Sequence, residues 1–263
     1  MDRRDFVKAG AAGALAPSGL RAAAVTPAED RPHYELRVYE TRSDLAPNRI
    51  RVFFTSAMIP ALRRAGAGAF GAFTPEVGML GQSITVLLEY KSAADALAVP
   101  QRLAADPAYA EARRAFEADA QPPYVRYEAR LMRAFAKHPA VEVPPTSAGR
   151  PPRIFELRTY ESRNAETLAK KIDMFDVAEI ALFRSIGMTP VFFGENLYAT
   201  RLPSLTYMLA FDDLAARAAA WNTFRAHPEW QRIQKDPRWT DERGITTVTS
   251  SVLLNPLPFS DIR

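Results

Sequence analysis

The sequence predicts an α+β fold in which two βαββαβ repeats pack sheet to sheet as one barrel. The first observation behind this is an internal repeat. Sliding the chain against itself by 121 residues aligns "YELRVYETR", from Tyr34, with "FELRTYESR", from Phe155. The same offset aligns "IPALRRAG" from Ile59 with "IALFRSIG" from Ile180, "SITVLLEY" from Ser83 with "SLTYMLAF" from Ser204, and Asp106-Pro107 with His227-Pro228. A period this long exceeds the roughly 20–50 residues of solenoid units, so each copy is a small folding unit in its own right. The second observation is the Pro-rich stretch "HPAVEVPPTSAGRPP", residues 138–152, which reads as an extended linker between the copies.

The elements follow in order. Tyr34, Leu36 and Val38 alternate with Glu35, Arg37 and Tyr39, the period-2 pattern of a strand with two unlike faces. Ile50, Phe53, Phe54, Ala57, Met58, Ala61 and Leu62 then recur at helical spacing as one apolar stripe, which Gly66 closes. A Gly-rich strand is expected around residues 70–73, and a clearer one where Ile84, Val86, Leu88 and Tyr90 alternate with Thr85, Leu87 and Glu89. Asp106-Pro107 has the chemistry of a helix N-cap followed by Pro at the first helical position. "YVRYEARLM", from Tyr124, supplies the last strand. This order is the ferredoxin-like split βαβ arrangement. Such a layer carries helices on one face only, and packing two open faces together gives a pseudo-two-fold barrel of about eight strands, able to be filled by side chains or to hold one small ligand. If Leu36 and Leu157 face the helices, the Glu-x-Arg-x-Tyr trios point into that shared interior.

Composition narrows the function. The chain has 263 residues and no cysteine, which excludes disulfides, thiolate metal sites and cysteine nucleophiles. Of the formal charge of +4, the first 24 residues carry +2, and no basic stripe with interleaved aromatics tracks a nucleic-acid backbone. No segment is long and apolar enough to span a bilayer. The opening "MDRRDFVKAGAAGALA" places Arg3-Arg4, Phe6 and Lys8 ahead of a weakly apolar run, with small residues at Ala22-Ala23-Ala24. It is similar to a twin-arginine export signal over residues 1–24, which implies a periplasmic location.

The "YELRVYETR" and "FELRTYESR" strands, with "HPEW" at His227 to Trp230, resemble the NIPSNAP family, a member of the dimeric α+β-barrel group. The resemblance implies two tandem domains, residues 32–137 and 153–263, and a barrel made within one chain. The wider group includes small monooxygenases, haem-dependent enzymes and stress-response barrels, so the fold does not select a reaction. The first copy departs from "HPEW" with "DPAY" at Asp106 to Tyr109.

Glu35, Arg37 and Tyr39, with Glu156, Arg158 and Tyr160, are the candidate ligand-binding residues, because strand spacing puts each trio on one face. An Arg can hold a carboxylate or enolate in bidentate fashion, and a Tyr can donate to an oxyanion. The structural alternative is that each Glu and Arg simply neutralise one another. In that case Arg158→Met is expected to cost about 3–5 kcal/mol. His227, Glu156, Arg158 and Tyr160 are the candidate catalytic residues, with His227 or Glu156 moving a proton, although the Asp106 counterpart gives His227 the simpler task of starting a helix. His33 and Glu35 share a strand face and are candidate metal ligands, yet the chain has only three histidines and no cofactor is expected. No nucleophile elbow, P-loop or dinucleotide fingerprint occurs. The leading expectation is an exported protein that binds a small organic ligand in or beside the barrel. The alternatives are a cofactor-independent oxygenase or isomerase, and a non-catalytic interaction or structural module. A second copy of the chain is a further candidate partner.

Overall fold

The computed structural model describes residues 31–41, 47–78, 82–118, 122–145 and 151–263. The export signal expected at residues 1–24 lies outside them. Eight antiparallel strands close into a barrel: β1 (His33–Thr41), β2 (Phe70–Val77), β3 (Gln82–Tyr90), β4 (Arg126–Ala134), β5 (Ile154–Glu161), β6 (Thr189–Tyr198), β7 (Ser204–Phe211) and β8 (Val248–Pro256). Their order around the barrel is β1-β3-β2-β8-β5-β7-β6-β4. Each half is thus a four-stranded sheet. The two sheets meet face to face and are also hydrogen-bonded edge to edge along two seams, β2 with β8 and β4 with β6. The expected barrel forms, and it closes within one chain.

Between β1 and β2 run α1 (Pro47–Phe53), a π-helical turn (Phe54–Met58) and α2 (Ile59–Arg64). The second half repeats this as α5 (Ala165–Met174), a π-helical turn (Phe175–Glu179) and α6 (Ile180–Ser185). The helices end on Gly66 (φ 85°) and Gly187 (φ 82°), where only a residue without Cβ turns the chain cheaply. Between the third and fourth strands of each half lie α3 (Ala93–Ala105) and α4 (Pro107–Glu117), matched by α7 (Leu214–Ala226) and α8 (Pro228–Ile233). Ser92 and Asp213 cap α3 and α7, accepting from Asp95 N and Ala216 N. Asp106 caps α4 through Tyr109 N, and His227 caps α8 by accepting from Glu229 N at 3.2 Å. Arg37 pairs with Ala129 across β1–β4, whereas Arg158 pairs with Ser251 across β5–β8. The last strand therefore matches at an offset of 122, with one residue inserted after α8.

Three apolar clusters hold the molecule together. One lies between each half-sheet and its helices, and the third fills the barrel interior with Tyr34, Leu36, Phe73, Leu87, Met132, Phe155, Leu157, Phe192, Met208 and Leu254. Ile262 completes this interior, and Val141 packs on it. The chain after β8 runs back along β2, with Leu257 N donating to Ala72 O and Asp261 N to Phe70 O. The faces of β1 and β5 are thus the reverse of those expected from the sequence. Leu36 and Leu157 point into the barrel, and the Glu-Arg-Tyr trios face the helices. Both faces of such a strand are covered, so alternation alone does not reveal which is inner. The interior takes the apolar set, and the helix layer supplies the donors that the carboxylates need. No helix of the described residues is long and apolar enough to cross a membrane.

Candidate functional site

The two trios, matched in sequence, have different surroundings. In the second half Glu156 is fully buried and accepts five side-chain donors' worth of contacts from four residues. These are Arg158 Nη1 (2.6 Å), Arg217 Nε and Nη2 (2.8 and 2.6 Å), Trp221 Nε1 (2.7 Å) and Ser251 Oγ (2.7 Å). Burial on its own raises the Glu156 pKa. The Arg217 hydrogen bonds, the Arg158 charge and the Ser251 and Trp221 donors outweigh it and bring the value to about 2. A carboxylate held this way is a poor base. Arg158 stacks over Trp221 at 4.6 Å and donates Nη2 to the Tyr160 hydroxyl at 3.3 Å. That hydroxyl also shares a 2.9 Å hydrogen bond with Tyr207. Above it, Lys171 Nζ bonds Glu179 Oε2 at 2.6 Å and lies 4.5 Å from the Phe175 ring centre. The layer is closed by its own side chains.

In the first half Glu35 accepts from Arg37 Nε and Nη2 (2.6 and 2.9 Å) and from the Tyr90 hydroxyl (2.6 Å). Burial lowers the Arg37 pKa, but the Glu35 hydrogen bonds and nearby groups more than offset this and hold the guanidinium cationic. Its Nη1 makes only a long 3.5 Å contact with the Tyr39 hydroxyl. Burial raises the Tyr39 pKa, so this phenol stays a neutral donor. Where the second half has Lys171, Glu179 and Tyr207, the first has Ile50, Met58 and Val86. Beside Ile50 and Met58 lies a crevice of about 70 Å³ lined also by Arg37, Tyr39, Phe53, Phe54, Tyr109 and Tyr124, among others. Its walls are aromatic: Phe53 stacks on Phe116 at 4.2 Å, and Tyr39 meets Tyr124 at 5.3 Å. Arg113 and Glu117 line it as well, so it is a narrow, partly polar crevice in which two donors converge, with room for the oxygen-bearing end of a small ligand.

The other sequence candidates fall elsewhere. His227 lines a surface groove with Glu229, Arg232 and Arg238, apart from Glu156 and Arg158, and serves as a cap. His33 is buried, with Nδ1 2.8 Å from the Arg31 carbonyl. Glu35 on the same face is engaged by Arg37, and no group of three or more metal-ligating side chains occurs among the described residues. Arg217, Trp221, Lys171 and Glu179 were absent from the sequence reading. Comparing the copies residue by residue inside matched helices shows them as the polarity changes Ala96/Arg217, Pro100/Trp221, Ile50/Lys171 and Met58/Glu179, although neighbouring pairs such as Asp95/Ala216 and Arg51/Ile172 change as well. The second carboxylate's extra partner also alters the expected cost of Arg158→Met. Arg217 remains bidentate on Glu156, so the loss falls to about 1.5–3 kcal/mol, that of one charged hydrogen bond.

The fold and crevice define the class: an α+β barrel with its candidate site in the layer between sheet and helices. The chain belongs to the NIPSNAP family, whose sequence profile matches residues 34–135 and 155–261. No curated protein matches it at a significant level. Among solved structures it is similar over 88% of its length, at 10% identity, to a provisionally assigned monooxygenase from Fusobacterium nucleatum, covering 94% of that chain with a TM-score of 0.55. A provisionally assigned monooxygenase from Lactobacillus acidophilus is similar over 86% of this chain and 94% of its own, with 8% identity and a TM-score of 0.55. A NIPSNAP family protein of unknown function from Agrobacterium tumefaciens is 20% identical over 42% of this chain and 94% of its own, with a TM-score of 0.37. At these identities the likeness is one of fold.

Proposed function

We propose that this protein binds a small organic acid or phenol beside the barrel, its oxygen-bearing end entering the first-half crevice to sit on Arg37 Nη1 and the Tyr39 hydroxyl. The observation that carries the reading is the contrast between halves. Lys171 and Glu179 close the layer over Tyr160, whereas Ile50 and Met58, at the same positions, line an open space beside Tyr39. The barrel interior is filled by side chains, which favours a site beside it rather than in it. The same two donors would hold an enolate oxygen, as the oxygenase or isomerase alternative requires, and Glu117 is the carboxylate on the crevice wall.

A thermal-shift screen against small acids, phenols and quinones is expected to give ligands that raise the melting temperature by mass action. Tyr39→Phe should weaken binding of such a ligand about tenfold, as one hydrogen bond to a charged oxygen is lost. Tyr160→Phe should leave binding unchanged. Equal binding to wild type and Tyr39→Phe would remove the crevice from consideration.

We also propose export to the periplasm by the twin-arginine route, on the strength of Arg3-Arg4, Phe6 and Lys8. Changing Arg3 and Arg4 together to Lys should retain the uncleaved precursor inside the cell, as read by fractionation. Unchanged export of that double variant would refute the route.

A further inference from the structure

Beneath α3, on the far side of Arg37 from the crevice, lies a second opening of about 270 Å³. Glu35, Arg37, Ala96, Pro100, Ala129 and Tyr198 are among the residues that line it. Its origin lies in the repeat. Ala96 and Pro100 stand at the places of Arg217 and Trp221, and Ala129 takes the register position of Ser251. Those are the three residues outside the trio that donate to Glu156. The first half therefore retains the carboxylate and its strand arginine but has lost a guanidinium, an indole and a hydroxyl. An open groove stands where the indole and guanidinium would lie. Two further features make its wall an acceptor surface. Pro100 sits inside α3 and has no N–H to give the Ala96 carbonyl. The Glu35 carboxylate, with three donors in place of five, keeps 16% of its side-chain surface exposed. Arg130 also lines the groove, but its guanidinium donates to the Thr159 and Thr206 hydroxyls rather than to Glu35.

We infer that this groove binds an organic cation carrying a flat ring, an amidinium, guanidinium or ammonium next to an aromatic group. Such a ligand returns to Glu35 the donors that Arg217 and Trp221 give to Glu156. Glu156 sits between two arginines, whereas Glu35 has one, so a bound cation restores the arrangement that the second half builds from its own chain. The ring replaces Trp221, and the cation's N–H groups reach the outer lone pairs of Glu35, because Arg37 Nε and Nη2 already hold the fork that Arg217 holds on Glu156.

The inference is independent of the crevice ligand and is tested with benzamidine, using neutral benzamide as the isosteric control. In NMR titrations of the full chain, benzamidine should saturate and shift the amides of Ala96, Ala129 and Leu131, with benzamide binding about tenfold more weakly or worse. Ala96→Arg supplies the missing guanidinium from the protein itself and should weaken benzamidine by a similar factor. It should leave binding of any crevice acid or phenol unchanged. Ala129→Ser, a smaller change suited to the case in which the arginine variant does not fold, should weaken benzamidine detectably. Benzamidine that fails to saturate, benzamide that binds as well, or shifts confined to residues outside the groove would each overturn the inference. Because the crevice is read with acids and phenols, its own failure would be seen separately.

Discussion

Lys171→Ile is expected to lower the unfolding free energy by about 3–5 kcal/mol, because it strands a buried carboxylate. Lys171 and Glu179 expose 5% and 2% of their side chains, and each has the other as its oppositely charged partner. The α5 helix carries the lysine and the following π-helical turn carries the glutamate, so both are fixed before they meet. The first half shows the alternative solution at the same positions, Ile50 and Met58. Lys171→Ile combined with Glu179→Met should therefore recover most or all of the loss, since replacing a buried ion pair by well-packed apolar side chains is often neutral or stabilising. Denaturant titration of the two variants measures both. A single variant that loses less than about 1 kcal/mol, the level of an exposed pair, would show that the pair reaches water.

Glu156→Leu should cost a similar amount, about 3–5 kcal/mol, by removing the common acceptor of Arg158, Arg217, Trp221 and Ser251. The same carboxylate sets an acid dependence. Its pKa falls from an ordinary 4.5 to about 2 in the folded chain, so the unfolded chain takes up a proton first as pH drops. The stabilisation is fully present above about pH 4.5 and is lost progressively toward pH 2, amounting to about 3 kcal/mol. Glu156→Gln keeps the shape and should flatten this part of the profile. An unchanged slope between pH 4.5 and pH 2 in that variant would assign the acid sensitivity to other carboxylates.

Much of the architecture was legible because the repeat is written in residues that decide local structure. The alternation of β1 and β5, the stripe from Ile50 to Leu62, the cap at Asp106 and the glycine at Gly66 all act over a few residues. The facing of β1 was not legible, since it depends on which layer supplies a partner for Glu35 beyond Arg37, and that partner, Tyr90, lies far along the chain. The π-helical turns have no signature in the apolar stripe they interrupt. The candidate site was half legible. Its polar residues stand out as the repeated Glu-x-Arg-x-Tyr, but the space beside them results from what Ile50, Met58, Ala96 and Pro100 lack, and a missing side chain shows only against its counterpart.

The two hydrogen-bonded seams, β2 with β8 and β4 with β6, join halves that belong to one polypeptide. A barrel assembled from two identical chains has an isologous interface, and every substitution in it appears twice, once on each side of the axis. A change that opens a space over one tyrosine then opens the same space over the other. Covalent tandem linkage removes that symmetry constraint and fixes the stoichiometry at one to one. One half is then free to become the rigid keystone, held by Glu156 and Lys171, while the other relaxes around Arg37 without weakening the arch that supports it.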